Sequence, residues 1–164
     1  MKQDRGSFRM LRREQLLQEL VHDSYKTKGK LPEPTVCPDC GATYHHGRWT
    51  WELAPAGAHE QRCPACHRKH DQYPAGYVTL KGAFAQQHKA EIKQLVMNCE
   101  GKEKTGHPLE RIMKIEDTKE GMLVTTTGTH IARDIAERVH DAYKGEIEFH
   151  YNKEDQLLRA TWTR

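Results

Sequence analysis

Long apolar runs are missing from this chain. No stretch approaches the ~20 consecutive apolar residues of a membrane-spanning helix. The start, Met1 to Gly6, carries basic residues with no apolar segment behind them, so it does not read as a secretory signal. Apolar residues make up 36% of the 164 residues and aromatics 7%, with a mean hydropathy of -0.90. That is too little for one large core and predicts small cores that need another support. Enzyme signatures are absent as well: there is no glycine-rich phosphate loop, no nucleophile elbow and no His-Glu-x-x-His. The expectation is a non-catalytic cytoplasmic protein with no membrane partner and no small-molecule substrate.

Cysteine, by contrast, is present in a pattern. Four of the five cysteines form two pairs, Cys37-Pro38-Asp39-Cys40 and Cys63-Pro64-Ala65-Cys66, with 22 residues between them. Two-residue spacing lets both thiolates of a pair reach one ion from a tight turn, and two such turns supply the four sulfurs of a tetrahedral zinc site. Cys37, Cys40, Cys63 and Cys66 are therefore the expected ligands of one structural zinc. Gly41 can relax the first turn so that backbone amides point at sulfur. A shell closed by four cysteines has no open position for water or substrate. A metal in place of disulfides implies a reducing compartment. His45, His46, His67 and His70 lie nearby in the sequence and read as surface groups. Cys99, alone on an apolar helix face, reads as a core thiol.

Four segments follow from charge and punctuation. Residues 1–34 carry eight Lys/Arg against five Asp/Glu and form a basic arm, with a short amphipathic helix expected over residues 10–25. Residues 35–80 hold the cysteine pairs and form the expected zinc ribbon. Residues 81–108 carry a helix over about 82–99, then a polar break from Gly101 to Pro108. Residues 109–164 have nine basic and eleven acidic residues, which makes the back of the chain acidic. There, strands at 111–115 and 122–127 flank a turn in which Gly121 is available for a positive φ. A helix over 130–144, with Thr129 as its cap, carries the stripe Ile131, Ile135 and Val139, and Gly145 lies just past its end. Alternating strands around Ile147 to Tyr151 and Leu158 to Trp162 complete a β-β-α-β-β module. The fold class expected is α+β: a zinc ribbon, a connecting helix, and a C-terminal antiparallel sheet with a helix across one face.

Basic and aromatic residues mark candidate nucleic-acid contacts. Arg5, Arg9, Arg12 and Arg13 cluster in the arm, where they can meet phosphates or form a solvated face. Arg48, Trp49, Arg68 and Lys69 lie in the cysteine segment. Trp49 and Trp51 share a side if this stretch is a strand, and can stack on bases or pack the ribbon against its neighbour.

Cys63-Pro64-Ala65-Cys66, Tyr73-Pro74-Ala75-Gly76, the helix with His88 and Glu91-Ile92, His107-Pro108 and Arg111-Ile112 together resemble a family of uncharacterised bacterial zinc-ribbon proteins. Leu123 to Thr127, His130 to Arg133, Ile135 and Trp162 fit the same likeness, which covers most of residues 35–164. More distantly, the chain is similar to the N-terminal region of the ribosomal large-subunit export adaptor family, the nonsense-mediated-decay factor three proteins. That family carries more cysteine pairs and further domains. The resemblance implies binding to ribosomal RNA or a ribosomal subunit, and it transfers a metal role to Cys37, Cys40, Cys63 and Cys66 alone. DNA binding or regulation, and a protein-interaction adaptor, are the competing expectations.

Overall fold

A computed structural model describes Arg9–Met10, Tyr25 and residues 29–164. Arg5, Arg12, Arg13 and all but the two end residues of the helix expected over 10–25 lie outside the described residues. The described chain is mixed α/β, with two sheets and four helices.

The smaller sheet is built from short pieces. β2 (Thr35–Val36), β3 (Thr43–His45), β4 (Arg48–Thr50) and β5 (His59–Glu60) lie in the order β4-β3-β2-β5, and α1 (Pro64–Asp71) follows. Strands of two or three residues contribute few hydrogen bonds and little apolar area. The buried cluster here is only Cys37, Cys63, Ala65 and Cys66, with Cys40, Trp49 and Leu109 packed against it.

The larger sheet has six strands in the order β1-β9-β10-β6-β8-β7. These are β1 (Arg9–Met10), β6 (Gly76–Lys81), β7 (Ile112–Asp117), β8 (Gly121–Thr126), β9 (Glu146–Asn152) and β10 (Leu157–Thr163). The hairpins β7–β8 and β9–β10 and the intervening α4 (Thr129–Tyr143) realise the expected β-β-α-β-β order. The sheet is not purely antiparallel, however. The hairpins do not meet; β6 separates them, antiparallel to β8 and parallel to β10, with Val78 opposite both Val124 and Ala160. Its residues alternate buried and half-buried along Gly76 to Lys81, so Val78 and Leu80 enter the core. The segment expected to end at residue 80 thus gives its last residues to the larger sheet. β1 extends the same sheet, pairing Arg9 with Tyr151.

Gly121 serves this packing, not a positive φ. It lies outside the left-handed region, and a Cβ there would collide with the Leu80 carbonyl oxygen. Glycine is what lets β8 approach β6.

Helices cover one face. α4 buries Ile131, Ala132, Ile135, Ala136 and Val139 against β6, β8 and β10. The helix expected over 82–99 is two helices, α2 (Ala83–Gln87) and α3 (Lys89–Gly106), which meet at His88; α3 runs through Gly101. Ile92, Val96 and Cys99 face the core, and burial raises the Cys99 thiol to about 11. Eighteen buried residues form this core, with Trp162 at 0% exposure. At ~1.5–3 kcal/mol for each large aliphatic side chain removed from water, it can sustain a fold; the four residues of the smaller cluster cannot.

The start of α4 is capped from a distance. Gly128, not Thr129, occupies the cap position and offers no side chain. Glu110 supplies the acceptor instead, its Oε2 taking the Ile131 N–H at 3.1 Å. A carboxylate there also faces the positive end of the helix. Glu110→Ala should lower unfolding free energy by about 1 kcal/mol, read from urea denaturation; an unchanged midpoint would contradict the capping role.

Candidate metal centre

The first cysteine pair sits on the turn after β2. The Gly41 N–H donates to the Cys37 carbonyl at 2.9 Å, and the Cys37 N–H donates to the Ala42 carbonyl at 2.8 Å. Gly41 has φ +79°, a conformation side chains disfavour. This bend points the Ala42 N–H at the Cys40 sulfur, 3.5 Å away. The second pair sits not on a free turn but on the first turn of α1. Cys63 is the N-cap and Pro64 follows it, with the Cys66 N–H 3.4 Å from the Cys63 sulfur. The N-terminal end of α1 favours negative charge on both thiolates.

These turns bring the sulfurs of Cys37, Cys40, Cys63 and Cys66 within 4.8 Å of one another. The donor set fits a metal. A tetrahedron with metal–sulfur bonds of about 2.3 Å has edges of about 3.8 Å, and the Cys40 and Cys63 sulfurs are 3.8 Å apart. Four cysteines so placed could hold one ion.

A fifth residue completes the site. Arg111, 3% exposed, leads into β7 and inserts its guanidinium among the sulfurs. It donates to Cys40 at 3.1 Å, Cys66 at 3.3 Å and Cys63 at 3.5 Å, while its Nε donates to the Pro108 carbonyl at 2.6 Å. Thr127 holds its backbone: the Arg111 N–H donates to the Thr127 hydroxyl oxygen at 2.9 Å, and the Thr127 N–H donates to the Arg111 carbonyl. Thr127 therefore serves this anchor and does not cap α4.

The electrostatics are graded. Burial pushes the Cys63 and Cys66 thiols up. For Cys40, the Ala42 N–H and the Arg111 guanidinium outweigh burial and bring the thiol down to about 7. Burial opposes the charge of Arg111, but the Cys66 and Cys40 sulfurs stabilise it more, so its ionisation is raised. Four thiolates around a divalent cation carry a net −2, and Arg111 offsets half of that within hydrogen-bond distance.

The other residues singled out from the sequence have separate fates. Arg68 is 3% exposed; its Nη1 donates to the Tyr73 carbonyl at 3.1 Å, and its guanidinium lies 4.4 Å over the Tyr25 ring. It ties Tyr25 to α1 and is buried away from any phosphate. Trp49 packs against the cysteine cluster and meets Tyr44 edge-on at 5.6 Å. Arg48 and Lys69 are exposed. Trp51 lies beyond the end of β4, 37% exposed, its Nε1 donating to the Lys104 carbonyl at 2.6 Å. That carbonyl belongs to the last turn of α3, where no helical donor remains. Arg9 lies in β1, and its side chain is outside the described residues. Among the described residues no helix is long and apolar enough to cross a membrane.

Comparison with family models, curated proteins and solved structures finds no match.

Arg111→Met should weaken metal binding about 10- to 100-fold, with Arg111→Lys in between, as measured by competition with a chromophoric chelator. Unchanged affinity in Arg111→Met would mean that the arginine only packs.

Proposed function

We propose that this chain is a non-catalytic cytoplasmic zinc protein whose metal-bound module contacts ribosomal RNA or a ribosomal subunit. The observation that carries the metal part is the buried four-sulfur cluster braced by Arg111. Thiolate donors in tetrahedral reach favour zinc over harder ions. The four sulfurs complete the shell, so the metal's role is to hold the ribbon formed by residues 35–75. Without the ion, these short strands and a four-residue apolar cluster would not form a stable unit.

The RNA part rests on charge and on the resemblance read from the sequence, of most of residues 35–164 to a zinc-ribbon family and, more distantly, to the N-terminal region of a ribosome-binding family. The arm contributes Arg5, Arg9, Arg12 and Arg13, and the ribbon contributes the exposed Arg48 and Lys69. Phosphate contacts of this kind weaken steeply with salt.

The protein should sediment with a ribosomal subunit at low salt and leave it on nuclease treatment or as salt is raised. Free protein at the top of the gradient in every growth state would contradict the proposal. So would a preference for duplex DNA, or a protein partner retained after nuclease.

A further inference from the structure

We infer that Trp51 is a base-stacking plate for single-stranded RNA, with Lys69 and Lys104 as its phosphate contacts. The inference rests on the RNA-binding reading and names the surface that carries it.

The chain has three tryptophans with different surroundings. Trp162 is at 0% exposure in the large core, and Trp49 packs on the cysteine cluster. Trp51 remains exposed, yet it is fixed. The bond from its indole Nε1 to the Lys104 carbonyl sets the ring's position, and the Arg111 guanidinium lies 5.5 Å from the ring centroid. A large aromatic 37% exposed, with the Lys104 ammonium 5.9 Å from its ring centroid, gains less for the core than a buried one. It loses little entropy when a flat ligand stacks on it.

The ring borders a hollow of about 700 Å³ beside the metal centre. Lys69, His70, Lys104 and Arg111 line it, and Asp39 is the one carboxylate among its lining residues. Asp39 is already paired with Arg62, Nε to Oδ2 at 2.6 Å. Lys69 comes from α1 and Lys104 from α3, so cations from two elements flank one aromatic surface. An aromatic plate with flanking ammonium groups matches a nucleobase and its phosphates, and it needs an unpaired base, which a duplex does not offer. Of the candidates offered by the sequence, Trp51 and Lys69 keep this role, whereas Trp49 packs on the cysteine cluster and Arg68 is buried against Tyr25.

The test titrates the full-length, metal-loaded chain with a short single-stranded oligoribonucleotide of mixed sequence, reading tryptophan fluorescence and affinity. Wild type should bind with quenching. Trp51→Leu should lose the quench and bind about tenfold more weakly while retaining its metal. Lys69→Glu combined with Lys104→Glu should weaken binding further and flatten its salt dependence. Wild-type quench and affinity in Trp51→Leu, or tighter binding to a duplex, would overturn the stacking site while leaving RNA binding itself intact. Should Trp51→Leu lose metal, the lysine pair decides, and unchanged affinity there overturns the site. No binding by wild type at low salt would instead overturn the RNA reading.

Discussion

The guanidinium of Arg111 among three cysteine sulfurs is the contact on which the arrangement of the molecule turns. It does two things at once. It places a positive charge against four clustered sulfurs, which would repel one another as thiolates. It also joins the small sheet to the large one, because Arg111 leads into β7 and its backbone is held by Thr127 at the end of β8. Trp51 adds a second pin by closing the open end of α3. The cysteine module is thus seated on the larger fold by side chains that also shape its electrostatics.

The scarcity of apolar residues explains why such a device is needed. Nearly all of the buried aliphatic material lies in the six-stranded sheet and its helices. The cysteine module has almost none, and four sulfurs with their shared charge take the place of a core. Beside the sulfurs lies a surface bordered by lysines from α1 and α3 and by an exposed indole.

Local signals were legible in the sequence. The cysteine spacing located the cluster, since the ligands of each pair are neighbours in the chain. The two hairpins and the stripe Ile131, Ile135 and Val139 were readable because period and turn chemistry are local. Long-range contacts were not. Arg111 lies 45 residues from Cys66, and nothing near it in the chain marks it as a partner of sulfur. β6 (Gly76–Lys81) was not read as a strand: its neighbours are strands β8 and β10, far along the chain, so its place between the hairpins could not be seen. The cap of α4 shows the same limit: Thr129 has the right chemistry by position, yet Glu110 arrives through the fold. Arg68 misled because charge in a sequence suggests exposure, whereas stacking on Tyr25 and a bond to the Tyr73 carbonyl make its burial tolerable.

The proposal that four cysteine sulfurs hold a single zinc ion against Arg111 underlies the rest. Metal analysis with X-ray absorption on the purified chain tests it most directly. The account predicts one zinc per chain, surrounded by four sulfurs at about 2.3 Å. A protein folded without metal, or an ion bound by nitrogen or oxygen donors, would contradict it.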